Sequence, residues 1–175
     1  MSRSALDAPP RPTLDVDVLY RQTRDGVYAY VRSLIRDPHV AEDVVATAYE
    51  KAWRKRGSFS PRRGSPQAWI YGIARNAALD RLRQGARRPE AGMEAIALAA
   101  ADDGDVVTRV AEAERVRAAM ARLAPRDREL VALRYWADLA VADIARVTGM
   151  SESNVTTRLS RALKALMETM GDDDA

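Results

Sequence analysis

The spacing of apolar residues constrains the fold of this chain more than any other feature. Apolar side chains recur every three or four residues along most of its length, a periodicity typical of amphipathic helices. The clearest stripe follows Asp37-Pro38 and consists of Ala41, Val44, Val45, Ala48, Tyr49, Ala52 and Trp53. No segment alternates apolar and polar residues convincingly enough to predict a strand. We therefore predict an all-α protein, with Tyr49, Trp53 and Trp69 in its core.

Prolines, glycines and capping residues divide the chain into two helical lobes with short flanking segments. The first lobe covers residues 13–88 and the second covers residues 109–170. Residues 89–108 are rich in Ala, Gly and Asp, and we expect them to form a flexible acidic linker. Residues 1–12 are predicted to be a disordered tail and residues 171–175 an acidic tail. Within the first lobe, helices are expected at about 14–36, from Asp37-Pro38 to about Arg56 before Gly57, and from Ser65-Pro66 to about Gly85.

Residues 141–155 have the spacing of a helix-turn-helix. Ala145 is small where two helices would cross, Gly149 permits a left-handed turn, and Ser151 can cap the second helix. Ile144 and Val155 would hold the two helices together. The second helix offers a polar outer surface formed by Asn154, Thr156, Thr157, Arg158, Ser160 and Arg161. Such side chains suit the major groove and the phosphates of DNA, and the alternative is an ordinary helical hairpin with a solvated face.

The net charge of +3 conceals a strong asymmetry along the chain. Residues 51–88 carry eleven Lys and Arg against one acid, Asp80, which gives a local charge of +10. Residues 91–108 carry four acids and no base. A basic segment of this kind is typical of proteins that bind phosphate backbones, although a solvated charged face is the alternative interpretation.

Several functional classes are disfavoured by what the sequence lacks. With no cysteine and a single histidine, it offers neither disulfides nor a usual zinc site. No apolar run approaches the roughly 20 residues of a membrane span, and residues 1–12 lack the apolar core of a signal peptide. No nucleophile–base arrangement or phosphate-binding glycine loop is present. We therefore expect a cytoplasmic protein without membrane insertion that is not an enzyme and holds no metal or cofactor.

Two groups of residues, in a fixed order, resemble conserved regions of the extracytoplasmic-function (ECF) RNA polymerase sigma factors of the sigma-70 family. Residues 14–88 are similar to the second region through Asp37-Pro38, Ala41-Glu42-Asp43-Val44-Val45, Ala52-Trp53, Phe59, Trp69-Ile70, Ile73-Ala74-Arg75-Asn76, Leu79-Asp80 and Arg83. Residues 109–170 are similar to the fourth region through Leu123-Ala124-Pro125-Arg126, Leu133-Arg134-Tyr135-Trp136, the helix-turn-helix and Ser160-Arg161-Ala162. The resemblance implies a sigma factor that binds core RNA polymerase and directs promoter recognition, DNA opening and transcription initiation.

The resemblance also implies a role for each surface. The residues expected to be exposed and to bind the clamp of the largest polymerase subunit are Asp43, Val44, Ala46 and Thr47. Those expected to open the −10 element and hold an unstacked base are Phe59, Arg62, Arg63, Arg75 and Asn76. Those expected to read the −35 element are Asn154, Thr156, Thr157, Arg158, Ser160 and Arg161. The flap of the second largest subunit and an anti-sigma factor are the further partners implied.

This chain departs from the family pattern at two of these surfaces. Ala46-Thr47 replace a common Gln-Glu, and Thr156 stands where a Lys or Arg is frequent. These departures imply an altered grip on the polymerase and one phosphate contact fewer at the −35 element. Two other functions stay open: a stand-alone DNA-binding regulator, which leaves the first lobe unexplained, and a decoy for an anti-sigma protein, which has no need of the basic segment.

Overall fold

The computed structural model of the protein describes residues 14–35, 37–86, 115–116 and 118–172. The described part contains helices and turns and no strand, which confirms the predicted all-α class. Residues 118–122 are helical, and two 3-10 turns, Arg56–Ser58 and Pro61–Arg63, lie between the second and third long helices. The α-helices are α1 (Val16–Leu34), α2 (Pro38–Lys55), α3 (Pro66–Ala86), α4 (Pro125–Tyr135), α5 (Val141–Thr148) and α6 (Glu152–Asp172).

Side-chain caps fix the starts of α2 and α6 where the sequence predicts them. The Asp37 carboxylate accepts hydrogen bonds from the backbone amides of His39 and Val40 at 2.9 and 3.2 Å. The Ser151 hydroxyl accepts one from the Asn154 amide at 3.3 Å. Each cap satisfies amides that have no partner within the first turn of a helix.

The helix ends agree with the predictions to within a few residues. Helix α5 ends at Gly149, whose φ of 71° is the left-handed conformation expected there. Helix α2 ends at Lys55, and the chain continues as a 3-10 turn through Ser58 instead of stopping at Gly57.

Helices α1, α2 and α3 pack together as the N-terminal lobe, and α4, α5 and α6 form the C-terminal lobe. Residues 118–122 belong to the C-terminal lobe, because Arg128 of α4 donates to the carbonyls of Met120 and Ala121. Tyr49 is buried, as predicted. The prediction that Trp53 lies in the core is wrong, because its side chain is 48% exposed and stacks under the guanidinium of Arg56 at 4.4 Å. Trp69 is half-buried and packs edge-on against Phe59, with ring centroids 5.7 Å apart.

The two lobes are in direct contact. Helix α1 packs on α4, helix α3 packs on α5, and the buried apolar residues of both lobes form one continuous cluster. The prediction of two helical lobes is therefore confirmed, whereas their contact is a feature that the sequence did not predict.

The predicted linker and the tail at residues 1–12 lie outside the described residues, and residues 171–172 belong to α6. No described helix is long and apolar enough to cross a membrane.

Candidate nucleic-acid interface

The basic loop between α2 and α3 projects cations beside an aromatic pair. Arg62 and Arg63 are exposed in the 3-10 turn, and Phe59, two residues before this turn, packs on Trp69. Gly64 ends this turn with a φ of 136°, a conformation that side chains rarely adopt. The loop thus presents two guanidinium groups next to an apolar surface.

A pocket of about 320 Å³ opens beside this loop, and we call it the interlobe pocket. Its lining combines aromatic, aliphatic, amide and guanidinium groups, a chemistry that suits a nucleobase with an adjoining phosphate. Three residues that the sequence assigned to the −10 element line it, namely Phe59, Arg63 and Asn76. Trp69 and Ile73 are apolar parts of the wall. The C-terminal lobe contributes the remaining side of the pocket through Arg146 and Val147 of α5.

The other two residues assigned to the −10 element are placed differently. Arg62 is exposed and does not line the interlobe pocket. Arg75 points into the contact between the lobes, where its Nε donates to the Glu129 carboxylate at 2.6 Å and its side chain is only 15% exposed. Arg75 and Asn76 are adjacent in sequence, but Arg75 lies in the contact between the lobes and Asn76 lines the interlobe pocket.

Glu129 of α4 is a residue that sequence reasoning missed. Its side chain is 6% exposed and accepts from three donors: Tyr30 at 3.1 Å, Arg75 at 2.6 Å and Arg126 at 2.7 Å. Tyr30 and Arg75 belong to the N-terminal lobe, so Glu129 joins the two lobes. Burial of Tyr30, followed by the negative charge of Glu129, raises the pKa of the Tyr30 hydroxyl well above its usual value. No spacing rule signals that Glu129 joins the lobes, since Tyr30 and Arg75 lie on distant parts of the chain.

A second polar contact joins the lobes next to the interlobe pocket. The Ser65 hydroxyl donates to the Asp143 carboxylate of α5 at 2.8 Å, and it also accepts from the Ala68 amide at the start of α3. Asp143 pairs in turn with Arg146. A β-carbon on Gly64 would lie 3.3 Å from the Asp143 carboxylate, so the loop approaches α5 closely.

The outer surface of α6 presents most of the predicted −35 residues to solvent. Exposed side chains are those of Asn154, Thr156, Thr157, Ser160 and Arg161. Arg158 is an exception, because its Nε donates to Asp127 of α4 at 2.7 Å. Ile144 and Val155, the two residues expected to hold the helix-turn-helix together, are completely buried.

The predicted polymerase-binding surface on α2 is exposed at three of its four positions. Asp43, Ala46 and Thr47 face solvent. The expectation that Val44 is exposed is wrong, because Val44 is 4% exposed and belongs to the core. Val44 lies on the apolar stripe of an amphipathic helix. Packing its side chain against the neighbouring helices removes apolar surface from water, which stabilises the folded protein.

Comparison with known protein families matches one family region to each lobe. The family model of Sigma-70 region 2 matches residues 19–88, and that of Sigma-70 region 4 matches residues 113–166. The ECF RNA polymerase sigma factor SigK of Mycobacterium sp. (strain KMS) is 30% identical over 164 residues, covering 90% of this chain and 85% of that protein. BldN of Streptomyces coelicolor, also an ECF RNA polymerase sigma factor, is 30% identical over 159 residues, covering 89% of this chain and 60% of that protein.

Solved structures share the fold. RpoE of Bartonella quintana, in complex with the anti-sigma factor NepR, superposes with a TM-score of 0.75 at 24% identity, over 90% of this chain and 97% of RpoE. CnrH, in complex with the cytosolic domain of CnrY, gives a TM-score of 0.64 at 21% identity, over 90% of this chain and 88% of CnrH. The chain therefore belongs to the ECF RNA polymerase sigma factors of the sigma-70 family, which bind core RNA polymerase and direct transcription initiation from promoter DNA.

Proposed function

We propose that each lobe of this sigma factor reads one promoter element, with residues 13–88 acting at the −10 element and residues 109–170 at the −35 element. The observation that carries the first assignment is the interlobe pocket, which brings Phe59, Arg63 and Asn76 together beside the basic loop. Extruding a base from a duplex costs a few kcal/mol, and an aromatic pocket with nearby cations offsets that cost.

The second assignment rests on the surface of α6. The exposed amide, hydroxyl and guanidinium groups of Asn154, Thr157 and Arg161 lie on one recognition helix of a helix-turn-helix. Hydrogen-bonding groups of these types read base edges in the major groove. The hydroxyls of Thr156 and Ser160 donate to carbonyls of their own helix at 2.9 and 3.0 Å, so they are available to DNA as acceptors.

We propose that Asp43, Ala46 and Thr47 of α2 bind the clamp of the largest polymerase subunit, and that the C-terminal lobe binds the flap of the second largest. The chain catalyses no reaction itself in this proposal, since the polymerase makes the RNA. Its place of action is then the cytoplasm, where the polymerase and the promoters are. An anti-sigma factor, as NepR is in its complex with RpoE, is the further partner we propose.

Run-off transcription with bacterial core polymerase on a library of promoter-like templates tests the proposal. Transcripts that require the protein would reveal both promoter elements. A protein that binds duplex DNA unaided and yields no transcripts would favour a stand-alone regulator. A protein that binds neither DNA nor core polymerase would favour a decoy.

The −10 assignment has a sharper test within the same assay. We expect Asn76→Ala and Arg63→Ala to reduce promoter opening, measured by permanganate reactivity of unpaired thymines, while binding to core polymerase is unchanged. Arg81→Ala is the matched control, because Arg81 is an exposed cation of α3 that does not line the interlobe pocket. Equal loss of opening in all three variants would contradict a specific role for the pocket.

A further inference from the structure

We propose that the interlobe pocket of the free protein binds a purine nucleoside monophosphate. The base lies against Phe59 and Trp69 and meets Asn76 with its edge. The phosphate lies between Arg63 of the basic loop and Arg146 of α5. This inference goes beyond the proposed −10 function, because the ligand is a free nucleotide and the site needs a residue of the C-terminal lobe.

The charge of the lining is the first argument. Two guanidinium groups, those of Arg63 and Arg146, line the interlobe pocket, and no carboxylate does so among the described residues. Asp143 pairs with Arg146, so one of the two positive charges is compensated. The charge of Arg63 remains, and Arg62 adds an exposed cation to the same turn. An excess of guanidinium over carboxylate favours an anionic ligand, and the planar guanidinium matches the oxygens of a phosphate.

The close approach of the loop and α5 at Gly64 is the second argument. Gly64 directly follows Arg63, and a β-carbon on it would lie 3.5 Å from Nη1 of Arg146 and 3.8 Å from Cδ of Arg146. The Arg146 side chain therefore lies against the residue next to Arg63. The hydrogen bond of 2.8 Å from Ser65 to Asp143 holds the loop and α5 together at this point. A phosphate on this side of the pocket can thus contact one guanidinium from each lobe.

The aromatic and amide groups of the lining are the third argument. Phe59 and Trp69 meet edge to face, with ring centroids 5.7 Å apart and ring planes at 64°. Because the two rings are not stacked on each other, aromatic surface is left for a third ring, and bases stack on such surfaces. Asn76 adds an amide that both donates and accepts, as pairing with N6 and N7 of adenine requires. A purine buries more apolar surface here than a pyrimidine, because it has two fused rings.

The volume of the pocket limits the ligand to one nucleotide. Pockets that hold small molecules measure about 300–1,000 Å³. The interlobe pocket, at about 320 Å³, is near the lower end of this range. A single nucleotide is therefore a suitable ligand, whereas a dinucleotide has a second base and a second phosphate for which the pocket has no space.

Isothermal titration calorimetry of the full chain with AMP, without DNA or polymerase, tests the proposal. We expect one AMP to bind per chain with a dissociation constant on the order of 10 μM, which is typical of a ligand of this size. Inorganic phosphate should bind at least about tenfold more weakly, because it gains nothing from stacking. CMP should bind at least about fivefold more weakly than AMP, because it lacks the purine edge that pairs with Asn76.

Four glutamine variants locate the site. Arg63→Gln and Arg146→Gln are each expected to weaken AMP binding at least about tenfold, because each removes a charged donor from the phosphate. Arg81→Gln and Arg122→Gln are the matched controls, one in each lobe, because both residues are exposed and neither lines the pocket. These two variants should bind AMP as wild type does. The side chain of Arg146 is 52% exposed, so its replacement should leave the protein folded, and circular dichroism verifies this.

The contrary results are distinct from one another. Absence of AMP binding, or phosphate binding as tight as AMP binding, would overturn the nucleotide site. Equal losses in all four variants would indicate attraction by the overall charge, and a loss in Arg63→Gln without one in Arg146→Gln would place the site in the N-terminal lobe alone. Either result would overturn a site shared by the lobes. The −10 assignment is judged separately by promoter opening, so a protein that opens promoters but binds no AMP overturns only this inference.

Discussion

The side chains of α6 differ in the hydrogen bonds that they form within the protein. This difference indicates which of them are better placed to contact DNA. Arg158 is held by Asp127, so part of its hydrogen-bonding capacity is used within the C-terminal lobe. Arg161 is exposed one turn further along. An exposed guanidinium can form two parallel hydrogen bonds with a guanine, which an ammonium group cannot do.

We therefore expect Arg161→Ala to cost about 1–3 kcal/mol of −35-dependent promoter binding and to relax the base preference at one position. Transcription by the reconstituted holoenzyme on templates with single substitutions in the −35 element measures both effects. Lys164→Ala removes a cation from the same helix and should weaken binding to all templates alike. An unaltered base preference in Arg161→Ala would contradict direct readout by this residue.

Tyr49 shows how burial of one hydroxyl affects stability at high pH. Its hydroxyl lies 2.8 Å from that of Thr23, which in turn donates to the Leu19 carbonyl at 2.6 Å. Tyr49 is therefore the donor of the pair. Burial raises the pKa of Tyr49 from 10.0 to about 12, because the phenolate loses hydration in the core.

Because the unfolded chain loses this proton first, the stability that Tyr49 contributes is complete below pH 10 and is lost as the pH rises from 10 to about 12. We expect the free energy of unfolding, measured by urea denaturation, to fall across this range. The fall should be shallower in Tyr49→Phe, which has no proton to lose at this position. Identical pH profiles for the two proteins would show that Tyr49 does not contribute.

At the scale of elements, local rules place the helices and the turns between them. The turn between α5 and α6 depends on Gly149, which has a left-handed φ of 71°. A β-carbon at this position would meet nothing within 4 Å, so there is space for a side chain. Another residue at this position would therefore destabilise the protein through its backbone conformation and not through a side-chain clash. Gly57 also has open space around it, but it lies in a 3-10 turn and has no positive φ.

We expect Gly149→Ala to destabilise the protein by about 1–2 kcal/mol, the cost of a left-handed conformation for an L-residue. Gly57→Ala should be neutral or stabilising by up to about 1 kcal/mol, because alanine restricts the unfolded chain without strain. Chemical denaturation of the two variants in parallel measures the difference. Equal effects would mean that the turn can rearrange to relieve the strain.

At the scale of the whole molecule, Gly26 lies where the N-terminal lobe packs against the C-terminal lobe. It lies in α1, and a β-carbon there would be 2.5 Å from the Tyr71 hydroxyl of α3 and 3.3 Å from the Trp136 carbonyl after α4. Tyr71 is almost completely buried and has little room to move. The absence of a side chain at Gly26 is therefore a requirement of the packed structure.

We expect Gly26→Ala to lower the free energy of unfolding by about 1–3 kcal/mol, as overpacking of a core does. Tyr71→Phe removes the atom in conflict, so the double variant should regain part of the loss relative to the two single changes. Thermal and urea denaturation of the four proteins measure this coupling. Strict additivity of the single effects would contradict the predicted steric conflict.

The local sequence was sufficient to predict the helices and turns of this protein. The apolar period predicted the helices, Asp37 and Ser151 their starts, and Gly149 the turn of the helix-turn-helix. All of these depend on residues within about one helical turn of each other, whose relative positions are set by the backbone geometry. The exposed face of α6 was predicted for the same reason.

The packing of helices against one another determines which residues of a face contact a neighbour and how the lobes pack together. Periodicity assigned both Val44 and Trp53 to one stripe, but the packing of the N-terminal lobe buries the first and leaves the second half exposed. Arg75 was predicted from sequence to meet DNA, yet it meets Glu129, 54 residues away in the chain. The partner of a charge across such a separation depends on how whole helices pack, and no local spacing encodes it.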